Sequence, residues 1–156
     1  QARLATKLGL DSMKETDGPL LQAFQDILAA ERLDFTLAFR WLTECANDTL
    51  AHSPLPELFA APVALTEWAQ QWAARRKDNA GDTEMLNTNM QSANPVVIPR
   101  NHLVQRAIEL AEKDETDWIH AWAARAQTPF TWDSDDLEWA RPPSEEERVT
   151  QTFCGT

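Results

Sequence analysis

Glycine is scarce and tyrosine is absent: the 156 residues hold four Gly and no Tyr. Four scattered glycines exclude the Gly-rich phosphate loops of the Walker and dinucleotide types, which need several at fixed spacing before a helix. Val and Ile are also few, while Ala, Leu, Glu and Gln abound, so strand-forming material is short and an all-α fold is expected. Two cysteines are too few for a disulfide framework at this length. No run approaches the roughly 20 apolar residues of a membrane-spanning helix. The start Gln1-Ala2-Arg3-Leu4 has neither an initiator Met nor an apolar signal core, which predicts a soluble piece of a longer chain. Positive charge is short as well. Fourteen Lys and Arg face 25 Asp and Glu, a net charge of −11, and such a surface repels nucleic acid.

What is present reads as a compact domain of about six helices with an extended acidic C-terminal tail. Leu4 and Leu8 at i, i+4 spacing, stopped by Gly9, mark the end of a helix over residues 1–9. Asp17 is placed to cap a helix entered through Pro19, with Leu20, Phe24, Ile27 and Leu28 on one face. Asp34 caps the next, whose stripe of Phe35, Ala38, Phe39, Leu42 and Cys45 reads as core. Cys45 there is a small buried apolar residue. Pro54, Pro56 and Pro62 break the chain into an irregular connection with one short turn. A helix opening near Thr66 carries Leu65, Trp68 and Trp72, the tryptophans spaced to stack, and ends in Arg75-Arg76-Lys77, cations that oppose the helix dipole. Met85, Leu86 and Met90 lie on a short helix. Asn94-Pro95-Val96-Val97-Ile98-Pro99 is extended because each proline drives its predecessor out of the α region. Asn101 caps a helix with Leu103, Val104, Ala107, Ile108 and Ala111, and another follows from about Asp117 with Trp118, Ile119, Trp122 and Ala123 inward. The expected division is residues 1–9, a helical domain over 10–130, and a tail over 131–156 in which Trp132, Trp139 and Phe153 are anchors.

Chemistry-bearing patterns are thin. His52, His102 and His120 show no ligand spacing, and neither cysteine is near them, so no metal site is expected. Asp133 to Asp136 and Glu145 to Glu147 are charge runs in loop context, suited to solvation and not to paired acid/base work. No catalytic or cofactor-binding residue is assigned. Cys154, three positions from the end, is the accessible thiol.

The stretch Met90-Gln91-Ser92-Ala93-Asn94-Pro95-Val96-Val97-Ile98-Pro99-Arg100-Asn101-His102, continuing through Gln105-Arg106-Ala107-Ile108-Glu109 to Glu112-Lys113, resembles the C-terminal region of the SelO (YdiU, selenoprotein O) family. So do Lys7-Leu8-Gly9-Leu10, Leu20-Leu21, Glu31-Arg32-Leu33-Asp34-Phe35-Thr36 with Phe39-Arg40, and the tail from Arg141-Pro142-Pro143 to Cys154. The resemblance implies a pseudokinase-fold protein adenylyltransferase that moves AMP from ATP to protein Ser, Thr or Tyr hydroxyls with Mg²⁺ or Mn²⁺. The family's nucleotide and metal ligands belong to a kinase-like core upstream of Gln1, so the expectation for this chain is a regulatory and structural helical part, inactive alone, with no cofactor of its own. Its implied partners are that core and the protein substrates, with no nucleic acid and no membrane. The implied compartment is the cytoplasm in bacteria or the mitochondrion in eukaryotes. Cys154 matches the family's near-terminal cysteine or selenocysteine, implicated in a disulfide with a core cysteine, although Cys-Gly-Thr replaces the more usual ending. A flexible tail raises the effective concentration of such a thiol near its partner. The competing reading is a stand-alone acidic helical interaction module with an exposed tryptophan face, and the burial of Trp68, Trp72, Trp118 and Trp122 discriminates.

Overall fold

The computed structural model describes residues 2–133 and 136–148, and among these every regular element is helical. The described residues form nine α-helices, α1 Ala2–Lys7, α2 Gly18–Ala30, α3 Phe35–Ala46, α4 Leu55–Leu58, α5 Val63–Arg76, α6 Thr83–Ala93, α7 Asn101–Ala111, α8 Asp117–Arg125 and α9 Asp136–Ala140, and all but α1, α4 and α9 run seven residues or more. None of them is long and apolar enough to cross a membrane. The chain gathers into two compact units, Gln1–Val96 and Val97–Thr156.

The first unit is built around α3. The Asp34 carboxylate accepts a hydrogen bond from the Leu37 amide at 2.9 Å and starts the helix. Leu37 through Glu44 are then all buried, so this helix is enclosed on every side and not on one stripe. α2 packs on α5, and α6 packs on both α1 and α3. Phe24, fully buried, meets Phe39 edge-on at 5.1 Å and stacks on Trp68 at 4.5 Å. Trp68 and Trp72 stack on each other at 6.3 Å with their planes 12° apart, as their spacing predicts. Each indole also ties α5 to another segment, Trp68 donating to the Leu20 carbonyl and Trp72 to that of Leu8, both at 2.8 Å. This satisfies the one polar atom of a ring that is otherwise buried for its apolar area.

Several local expectations are corrected. Asp17 precedes α2, but its side chain does not cap it; it turns to Arg75 instead. α5 begins at Val63, three residues before Thr66, because Pro62 in extended conformation at the N-cap is a ready helix entry. Arg100, not Asn101, is the N-cap of α7, and no side chain closes that end. The proline-rich connection keeps two turns, the 3₁₀ turn Leu50–His52 and α4. Cys45 is only half-buried.

In the second unit α7 and α8 pack together. No residue of α8 is fully buried: Trp118, Ile119 and Trp122, expected inward, are half-buried and Ala123 is exposed. Residues expected in an extended tail form α9, with Asp136 fully buried and Trp139 8% exposed. The helix exists because Arg125 grips the Asp136 carboxylate, one of its bonds measuring 2.7 Å, while Trp139 packs on Trp118 at 5.1 Å. A buried ion pair and an aromatic contact outweigh the local preference of an acidic stretch for solvent.

Candidate functional site

Cys154 lies outside the described residues. The other cysteine, Cys45, has a thiol pushed up to about 11 by burial and by the adjacent Glu44 charge, the opposite of what a reactive thiol requires. His52 and His120 are exposed and His102 is buried. Among the described residues no group of His, Cys, Asp and Glu is gathered for a metal ion.

Three polar centres stand out among the described residues, two in the first unit and one in the second. In the first, the Asn94 side chain is fully buried and donates to the Lys7 carbonyl at 2.8 Å and the Thr43 hydroxyl at 2.9 Å. Lys7 donates in return to the Ala93 carbonyl at 2.8 Å and to Asn94 Oδ1 at 3.2 Å. Arg40, 2% exposed, reaches the Asn94 carbonyl at 3.3 Å and pairs with Glu44 at 2.5 Å, and Glu44 accepts from the Thr49 hydroxyl. Asn94 opens the Asn-Pro stretch, so this network fixes the exit of α6 against α1 and α3. Burial lowers the Lys7 pKa from its usual value.

A second cluster in the same unit joins the end of α5 to the N-terminal loop. Arg75 grips Asp17 with two bonds at 2.7 and 3.1 Å and donates to the Ser12 carbonyl at 3.1 Å. Arg76 lies over the Trp72 ring at 5.1 Å and donates to the Gly9 carbonyl and to Asn87. The basic run read as a dipole-opposing helix end is therefore a pair of specific clamps.

In the second unit a groove of about 500 Å³ is lined by Ile98, Arg100, His102, Pro143, Glu147 and Arg148 among others. His102 is 7% exposed and its Nε2 has no hydrogen-bond partner. Burial lowers its pKa, with Glu147 opposing and Arg141 and Arg100 reinforcing that shift. Glu147 is held by Arg141 through two bonds of 2.6 Å and by the Ser144 amide at 2.9 Å. Among the described residues, those lining the groove include no hydroxyl or thiol. The buried Arg40–Glu44 and Asp17–Arg75 pairs escaped sequence reasoning, although a charged i, i+4 pair inside the apolar Phe39-Leu42 stripe was a signal for the first.

The described residues define an all-helical module whose polar side chains tie its helices and loops together. The profile of the family described as protein adenylyltransferase SelO matches residues 1–127, and the chain belongs to the SelO family. It is 38% identical over 156 residues to the protein nucleotidyltransferase YdiU of Rhodopseudomonas palustris strain HaA2, covering 99% of this chain and 32% of that protein. Against the YdiU protein of Bradyrhizobium sp. strain BTAi1 the figures are 38% over 160 residues, 100% and 32%. For that of Nitrobacter winogradskyi they are 37% over 150 residues, 96% and 30%. The chain thus spans about a third of the length of the curated relatives it matches.

Proposed function

We propose that this chain is the helical C-terminal part of a SelO-type protein nucleotidyltransferase that transfers AMP from ATP to protein Ser, Thr or Tyr hydroxyls. The observation that carries this reading is coverage: nearly the whole chain aligns with YdiU nucleotidyltransferases, yet it accounts for only 32% of their length. Nucleotidyl transfer needs cationic clamps and metal ions held around the phosphates, and the reading assigns ATP and Mg²⁺ or Mn²⁺ to the portion outside this sequence. The part represented here supports and regulates that portion.

The regulatory element is Cys154, which on this reading forms a reversible disulfide with a cysteine of the catalytic portion. Such a bond is regulatory and not structural in a reducing compartment. Labelled ATP, Mg²⁺ or Mn²⁺ and a protein acceptor supply the test. The full-length protein should label the acceptor and this chain alone should not; label transferred by this chain alone would overturn the division of labour. Non-reducing mass spectrometry of the full-length protein should find Cys154 bridged after mild oxidation, and a thiol that stays free throughout would remove the switch.

A further inference from the structure

Among the described residues, the two principal helices of the second unit bury little of their apolar stripes: that of α7 is largely exposed and that of α8 half-buried. α7 carries Leu103, Val104, Ala107, Ile108 and Ala111 at three- and four-residue spacing, the pattern of a helix that covers a core. Of these five only Leu103 is buried; Val104 is 37% exposed and Ile108 50%. On α8, Trp118, Ile119 and Trp122 repeat the pattern, and all three are only half-buried. Within the same chain, α3 buries eight consecutive residues, so the sequence can complete a core where its own elements suffice. Arg106, lying over the Trp118 ring at 4.4 Å and paired with Glu138 at 2.6 Å, supplies a solvated polar rim. An apolar centre with a charged rim is the anatomy of an interface.

The occupant follows from what is missing. Both helices lie within the residues 1–127 that match the family profile, while the chain spans only about a third of the relatives' length. A remaining portion joined covalently to this face meets it at an effective concentration in the millimolar range. A modest patch is enough for such an intramolecular contact, whereas a second copy would first have to overcome the full entropy of association. We propose that the α7–α8 face is the surface by which this helical part docks on the portion of a full-length SelO-family protein that lies outside this chain. The inference rests on reading the chain as part of such a protein, and not on the AMP-transfer activity.

Hydrogen–deuterium exchange read by mass spectrometry tests it, comparing this chain alone with the full-length protein. Peptides spanning residues 101–125 should exchange at least about tenfold more slowly in the full-length protein. Peptides spanning residues 35–46, whose surroundings are already complete, should be protected in both. Ile108→Asp should abolish the added protection in the full-length protein and leave exchange and melting of this chain unchanged, because Ile108 is half exposed here. Equal exchange of 101–125 in the two proteins overturns the proposal. Protection in this chain alone that rises with its concentration also overturns it, and assigns the face to a second copy. AMP transfer is not read in this experiment, so a failure of the catalytic reading shows separately.

Discussion

The carboxylate of Asp17 is 3% exposed and sits in the fork of Arg75. That hydrogen bond, joined by the one from the Lys14 amide, holds its carboxyl below the usual carboxylate range despite burial. A depressed folded-state pKa stabilises the fold above the unfolded value of about 3.9, and the contribution is lost as pH falls from there through the folded value. Urea unfolding of the chain should therefore weaken below about pH 4, and Asp17→Asn should flatten that acid limb. Asp17→Ala leaves Arg75 with an unmatched, largely buried charge and should cost about 3 kcal/mol at neutral pH. Cys45 gives a second residue-scale expectation. With its pKa near 11, roughly one thiol in a thousand is ionised at pH 8. Iodoacetamide should label it far more slowly in the native chain than after unfolding, as read by mass spectrometry.

At the scale of elements, the join from α1 to the following loop turns on Gly9. Its φ is +64°, in the left-handed region, and its neighbours close the helix with Leu10 N–H to the Ala5 carbonyl at 2.9 Å. A β-carbon at this position would lie 2.9 Å from Met90 Sδ and 3.0 Å from Arg76 Nε. Gly9→Ala adds backbone strain to that crowding and should destabilise by about 2 kcal/mol in chemical denaturation. The stop at Gly9 was legible, as were the Asp34 cap and the stacked Trp68 and Trp72, because each depends on residues within one or two turns. The start of α5, the partner of Asp17 and the existence of α9 were not. Asp17 finds Arg75 58 residues away and Asp136 finds Arg125 across a turn, and local pattern carries no record of such meetings.

Across the whole molecule, the tryptophans fall into two classes. Trp41, Trp68, Trp72 and Trp139 are at most 8% exposed, and Trp118, Trp122 and Trp132 are intermediate. Emission of this chain should be blue-shifted and mostly resistant to iodide, with a quenchable fraction that shrinks in Trp118→Phe/Trp122→Phe to what Trp132 contributes. Uniform quenching would contradict the enclosed first unit. The same division bears on function. Trp68 and Trp72, which had been spaced well enough to form a docking face, are core. Trp118 and Trp122, expected inward, are only half-buried. The candidate site was legible in the sequence only through resemblance: Cys154 rests on it, and Asn94, which opens the most characteristic stretch, acquired a physical role only when Lys7, Thr43 and Arg40 were seen around it.

The sequence by itself determined the all-helical class, the positions of most helices and the family, because helix propensity, apolar periodicity and a contiguous motif are local quantities that survive without coordinates. Only the tertiary structure decided which amphipathic stripes become core and which remain uncovered, and which acidic residues are solvated and which are gripped by arginine. Burial and ion pairing depend on elements far apart in sequence, so α3 is enclosed while α7, as regularly patterned, keeps Val104 and Ile108 exposed and α8 is only half-buried.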